Sequence, residues 1–388
     1  NELRFFCVTS LIKGVRKYMA FLRADQGSRA APLLWARLAA LLTRLTQSLF
    51  SPSYVNLMCF VDDPLAAITG TKLERSVTIA TIILVWESLG FKLAYDKAQM
   101  GGVVTWIGGE FSTVADTIKA EVKRSIVEDI VSALDRFATI NVVSHKELHS
   151  FVGRANHAAG LLVTLRPFLH AIWAAVFSDS SNNPNHTVWI KQIAHALTWL
   201  RAFFKDRLQG ISRTFQLQDY LWRGDVLEIG TDASTTGLGG WLALNSTVIK
   251  YFSIPISADD ESILCTPKGC SEGQQVWESL AVLIAVRLWL PDIKAHRVTL
   301  EVRGDNVGAL MLLIKMRPNT PTLAIIAREL ALCLAFMSFP PRVMHTPGIA
   351  HKLADHLSRT FSPSGEQVLP VAHHALGHAV RDVVPQRK

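Results

Sequence analysis

None of the most apolar stretches in these 388 residues offers about eighteen uncharged residues, the length a membrane-crossing helix needs. Leu33 to Phe50 is broken by Arg37 and Arg44, and Ala158 to Phe177 by Arg166. Ser279 to Leu290 is short and holds Arg287, so no membrane partner is expected. Cysteine is scarce as well. The five, Cys7, Cys59, Cys265, Cys270 and Cys333, are odd in number and scattered, so no disulfide framework is implied. A reducing, intracellular setting, cytoplasmic or nuclear, is therefore expected. Cys265 and Cys270 lack the further ligands that zinc requires and read as free thiols. Acids are in deficit: 32 against 40 lysines and arginines leave +8 and a pI near 9.3, which favours an anionic partner such as nucleic acid. With charged residues at 19% and hydrophobic ones at 49%, the chain is long and apolar enough for two or three folded domains. It opens on Asn1 without a signal peptide and is expected to be a piece of something longer.

What is present is organised around Glu228-Ile229-Gly230-Thr231-Asp232-Ala233-Ser234, followed by Thr235-Thr236-Gly237-Leu238-Gly239-Gly240-Trp241. This reads as a strand, a glycine-rich turn and a second strand, with one acid projecting near the turn. An Asp beside a turn is ordinarily only a turn residue. Three more acids change its weight. Glu278 lies in the apolar helix around Trp277 to Leu283, and Asp305 follows the alternating run Val298 to Arg303. Asp355 stands in Ala354-Asp355-His356-Leu357-Ser358-Arg359, after His345-Thr346-Pro347-Gly348. Four carboxylates suffice to bind and neutralise two divalent cations, and paired cations drive in-line attack on phosphodiesters.

The four segments, in this order, resemble the ribonuclease H domain of retroelement reverse transcriptases. The resemblance extends upstream. Phe60-Val61-Asp62-Asp63, at the end of an apolar strand, looks like the palm aromatic-x-Asp-Asp signature, whose adjacent acids repel unless a cation sits there. The segment from Gln26 and Gly27 to Pro32 is similar to the motif that faces template and nucleotide. Lys97 matches the lysine near the incoming triphosphate, and Trp106 to Gly109, Gly108 included, resembles the hairpin that grips the primer. The resemblance implies an α/β multidomain chain: residues 1–114 as partial fingers and palm, 115–180 as thumb-like helices, 181–225 as connection, 226–360 as a ribonuclease H-like domain with a mixed sheet, and 361–388 as a tail. Pro32 suits the first turn of a helix, and Ser144 with Glu147 reads as a capping box opening another. From about Ala115 to Phe177 the pattern is helical. Between 150 and 224, eight basic residues against three acids, interleaved with Trp189, Trp199, Phe203, Phe204 and Trp222, suit a surface that tracks phosphates, although helical spacing buries those aromatics equally well.

By the same resemblance Asp232 bridges two Mg²⁺ (or Mn²⁺) ions, Glu278 and Asp305 complete one site, and Asp355 the other. His345, ten positions before Asp355, assists proton transfer or product release. Asp62 and Asp63 are the palm's metal ligands. The family's first palm carboxylate would fall upstream of Asn1, and Asp25 is too close to Gly27 to replace it. The expected activity is therefore two-metal hydrolysis of RNA in an RNA–DNA hybrid, with an incomplete RNA-directed DNA polymerase. The expected partners are hybrid or template–primer nucleic acid and the rest of a retrotransposon polyprotein, of tyrosine-recombinase type by the wording of its motifs. The alternative is a remnant that binds nucleic acid without catalysis.

Overall fold

The computed structural model describes residues 7–20, 30–114, 117–178, 186–205, 211–216, 225–295, 299–335, 341–362 and 376–385. The chain divides into two compact units, Asn1–Ile107 and Gly108–Lys388. Gln26 and Gly27 lie outside the described residues, as do Trp222 and the polar run 179–185.

In the first unit β1 (Cys7–Ile12) and β2 (Val15–Ala20) form an antiparallel hairpin. Helix α1 (Ala31–Gln47) carries proline in its first turn, where the missing N–H costs nothing. Strands β3 (Val55–Phe60) and β4 (Asp63–Ile68) pair antiparallel, Phe60 opposite Asp63 and Cys59 opposite Pro64. Helix α2 (Lys72–Ser88) opens on a full capping box between Thr71 and Glu74, and β5 (Val103–Trp106) follows. The core here is small. Leu42, Leu57 and Trp86 form it, with the Trp86 indole donating to Thr46 Oγ1 at 2.9 Å.

The second unit begins with β6 (Gly109–Val114) and β7 (Thr117–Val122), an antiparallel pair. Residues 117–122 were expected to be helical and are not. Ile118, Ala120 and Val122 alternate with Thr117, Lys119 and Glu121, the period of a strand, and Lys119 and Glu121 form an ion pair at 2.8 Å. Helix α3 (Arg124–Phe137), strand β8 (Val142–Ser144), and helices α4 (His145–Leu161) and α5 (Arg166–Phe177) come next. Only half of the expected capping box forms: Ser144 Oγ accepts from the Glu147 N–H, while the Glu147 carboxylate pairs with Arg136. A full charge is a better partner for a carboxylate than a backbone N–H. Strand β9 (Thr187–Trp189) pairs with β8, α6 (Ile190–Lys205) follows, and β10 (Ile211–Gln216) pairs with β7. Phe168, Leu200 and Phe204 are buried in the helical core, and Trp199 stacks on Phe168, so these aromatics serve packing.

The rest is a six-stranded mixed sheet with helices on it. Strands β11 (Val226–Ala233), β12 (Gly237–Leu244) and β13 (Thr247–Pro255) form a meander. They lead to α7 (Ala258–Leu264), α8 (Gln274–Leu288) and α9 (Leu290–Ala295). Strand β14 (Thr299–Gly304), helices α10 (Val307–Lys315) and α11 (Pro321–Leu334), strand β15 (Arg342–His345) and helix α12 (Lys352–Arg359) complete the layer. The strand order is β15-β14-β11-β12-β13-β16, where β16 is Val380–Arg381. Strands β11, β14 and β15 run parallel. The tail thus contributes to the sheet: β16 pairs with Lys250 and Tyr251, and the buried Trp289 indole donates to Asp382 Oδ2 at 2.8 Å. A buried indole N–H without a partner would cost about 1–3 kcal/mol, which is why the segment is held.

Burial on β11 follows from its two covered faces. Leu227 and Ile229 join the apolar core beneath α8, whereas Glu228, Gly230 and Asp232 share the other face. On that face Arg303 joins Glu228 at 3.1 Å and Glu301 at 2.8 Å, and Arg342 reaches Glu301 at 3.5 Å. The ion-pair ladder crosses three strands and offsets the desolvation of two buried acids.

Candidate active site

Asp232 is the penultimate residue of β11, Glu278 lies one turn into α8, and Asp305 follows directly on β14. The parallel pairing of β11 with β14 puts both aspartates at one rim of the sheet. Helix α8 packs against β11 and brings Glu278 to the same rim. One carboxylate oxygen from each of the three lies within 4.8 Å of the others. Asp232 and Glu278 are buried, at 5% and 3% exposure, and Asp305 is half-buried.

Like charges so placed repel by roughly 4 kcal/mol per pair, even at an effective dielectric constant of about 20. Burial, with Asp305 and Asp355 nearby, pushes the Asp232 carboxyl up to about 7, although the Ser358 hydroxyl and Arg359 oppose the rise. Glu278 is pushed up to about 9, again first by burial and then by Asp232 and Asp305. The cluster therefore requires protons or cations. Its donors are all carboxylate oxygens, a set that fits hard divalent cations such as Mg²⁺ or Mn²⁺.

Asp355 is held differently. It stands on α12, half-buried and outside the three-acid set, with Arg359 Nε 2.6 Å from its Oδ1. Helix α12 lies close over β12 because Gly237 and Gly239 have no side chains there. A Cβ on Gly237 would strike the Ser358 carbonyl, and one on Gly239 the Ser358 N–H and Leu357. Ser234 Oγ donates to the Ser358 carbonyl at 2.9 Å, and Ser253 Oγ to that of Leu357 at 2.6 Å. His351, buried before the helix, hydrogen-bonds through Nε2 to the Thr231 carbonyl at 2.8 Å. His345 is exposed at the end of β15, in register with Gly304, the residue before Asp305.

Two contacts at this site escaped the sequence motifs. Ser358 Oγ donates to Asp232 Oδ2 at 2.6 Å, and Gln274 Nε2 donates to Glu278 Oε1 at 3.0 Å and also to the Ala233 carbonyl. Gln274 precedes Glu278 by four residues, the one sequence signal that was available for it.

The acid pair of the first unit is an exposed hairpin tip. Asp62 lies in the turn and Asp63 opens β4. Val61 has φ +57°, a left-handed conformation that is costly for a β-branched residue. Two indoles hold this turn: Trp35 Nε1 donates to the Val61 carbonyl at 2.8 Å, and Trp106 Nε1 to that of Asp63 at 3.0 Å. Among the described residues neither acid joins a group of three metal-ligating side chains. Lys97 is exposed at the end of a short 3₁₀ turn, Tyr95–Lys97. Gly108 has φ +70° and faces His157, which a side chain there would strike.

No family model matches the sequence. No curated protein matches it either. Solved structures do. A foamy viral protease-reverse transcriptase dRH in complex with double-stranded DNA matches 86% of the chain at 15% identity and a TM-score of 0.39. The foamy viral protease-reverse transcriptase with an RNA/DNA hybrid matches 87% at 14% identity and 0.42. LC11-RNase H1, isolated from compost by a metagenomic approach, matches 34% at 16% identity and 0.24, with 91% of its own length covered. The chain spans about half the length of the first of these viral proteins, 51%, and 40% of the second. Among the described residues no helix is long and apolar enough to cross a membrane.

Proposed function

We propose that residues 226–360 form a ribonuclease H-type nuclease that hydrolyses the RNA strand of an RNA–DNA hybrid with two divalent cations. The convergence of Asp232, Glu278 and Asp305 within 4.8 Å, from two parallel strands and a helix, carries this assignment. Bound at these oxygens, Mg²⁺ or Mn²⁺ would supply an acidified water and neutralise the leaving oxygen. The chain's own part is to hold the acids. Burial keeps Asp232 and Glu278 away from bulk water, and Ser358 and Gln274 fix one oxygen of each. His345, exposed and one strand from Asp305, is assigned to proton transfer or product release at this rim. Recognition by minor-groove shape and 2′-hydroxyls would make cleavage nearly independent of base sequence.

Residues 1–114 are assigned to part of a reverse-transcriptase palm, with Asp62 and Asp63 as its acids, and the whole chain to a retroelement polyprotein. Lys97, Trp106 and Gly108, with Gln26 and Gly27, are assigned to nucleotide and template–primer contacts. The three-acid cluster of Asp232, Glu278 and Asp305 favours the nuclease over the polymerase as this chain's activity. The Arg359–Asp355 pair favours a second possibility, a chain that binds hybrid without cutting it. A labelled hybrid with Mg²⁺ or Mn²⁺ decides. Cleavage of the RNA strand, lost in Asp232→Asn, supports the nuclease; binding without cleavage by the folded chain supports the remnant.

A further inference from the structure

Helix α12 supplies Asp355, yet its strongest tie to the acid cluster comes from a residue one turn further on. The Ser358 side chain is wholly buried, and its hydroxyl lies 2.6 Å from Asp232 Oδ2 and 2.9 Å from the Asp355 carbonyl. A hydroxyl has one proton to give. The shorter, charge-assisted contact to the carboxylate takes it, and the carbonyl of its own helix is left as the weaker alternative. The placement is enforced from three sides. Gly237 and Gly239 make room for the backbone at 357–358, Ser234 clasps the Ser358 carbonyl, and Ser253 clasps that of Leu357. Nothing in helix formation requires a serine here, and an alanine would fill the same space with better helix propensity.

We propose that Ser358 is a positioning residue: its hydroxyl fixes the Asp232 carboxylate on β11 at a set spacing from the helix that carries Asp355. It thereby sets the separation between the ligand common to both cation sites and the ligand particular to one. The inference rests on the two-cation assignment made above. A carboxylate on a strand is free to turn about its last torsion, and hydrogen bonds from outside the ligand shell are what stop it. Ser358 does this for Asp232, as Gln274 does for Glu278.

The test is Mn²⁺ binding by the full chain, read as free Mn²⁺ by electron paramagnetic resonance and so independent of cleavage. Ser358→Ala is expected to weaken binding about tenfold, the lower end of what loss of an outer-shell partner costs. Ser358→Thr, which keeps the hydroxyl, is expected to recover most of it. Ser234→Ala loosens the same helix end without touching Asp232; it is expected to lower the melting temperature and leave Mn²⁺ affinity unchanged. Wild-type affinity in Ser358→Ala overturns the proposal, as does an equal loss in Ser234→Ala, which would make helix docking the whole effect. Should the added methyl of Ser358→Thr unfold the chain, the two alanine variants decide alone. If wild type and Asp232→Asn bind Mn²⁺ equally poorly, the cation site itself is wrong and the role of Ser358 falls with it.

Discussion

Arg359 Nε lies 2.6 Å from Asp355 Oδ1, four residues back on the same helix, so the one acid outside the tight cluster already has a cation at its side. The guanidinium occupies an oxygen that a second metal would use. Both side chains are partly exposed, at 51% and 34%, so the pair contributes little to stability.

Arg359→Gln should therefore lower the Mg²⁺ concentration that half-saturates cleavage. The change should be no more than about fivefold, since exposed pairs are worth at most about 1 kcal/mol. The melting temperature should barely move. A metal titration of initial rates checks this, and a rise in the half-saturating concentration would show that Arg359 aids the site rather than competing for it.

Stability without metal should fall as pH rises. Asp232 and Glu278 hold their protons more tightly folded, up to about 7 and about 9, than at their ordinary values of 3.8 and 4.5. Between those limits the folded state carries more protons, so their contribution is complete below about pH 4 and is lost by about pH 9. Cations bound at the cluster would replace the protons. The gain in melting temperature from Mg²⁺ should accordingly be larger at pH 8.5 than at pH 6, as scanning calorimetry at the two pH values, about 6 and about 8.5, can measure. A gain that is equal at both would break the link between this cluster and the metal.

Asp232→Asn removes one buried charge from a crowded set and keeps an oxygen for the Ser358 hydroxyl. Cleavage should drop below detection, while the metal-free protein at pH 8 should melt no lower than wild type. Destabilisation by several kcal/mol would instead mean that Asp232 is a structural acid, because breaking a compensated buried pair costs about 3–5 kcal/mol.

Gly239→Ala tests how tightly α12 sits on the sheet. The new methyl would meet the helix backbone at 357–358, which has no flexible end to swing aside. Overpacking of this kind costs about 1–3 kcal/mol. The urea midpoint should fall accordingly, and hydrolysis should fall further than the stability loss explains, since Asp355 and Ser358 ride on the displaced helix. Gly160, where a Cβ would meet nothing, is the control position.

Much of this was legible in the sequence because each acid sits in a stretch with a clear period. Alternation around Asp232 and before Asp305 marked strands, and the apolar run around Glu278 marked a helix. What could not be read was contact across distance. Ser358 and Asp232 are 126 residues apart, and no local pattern joins a serine at a helix end to a strand acid. The paired role of Gly237 and Gly239 was hidden for the same reason: a turn and a close backbone approach both call for glycine. At Thr117–Val122 the alternation is present, but only Lys123 separates it from α3, whose longer helical period masks it. Residues 376–385 have apolar positions but no alternation to announce a strand, and their anchor, Trp289, lies some ninety positions upstream.

The shared direction of β11, β14 and β15 has a practical outcome. Asp232, Asp305 and His345 all sit where their strands end, so the opposite border of the sheet, where those strands begin, is remote from the three-acid cluster. A reporter or surface tether is therefore better kept away from the rim where those strands end, since anything attached there would stand across the acids.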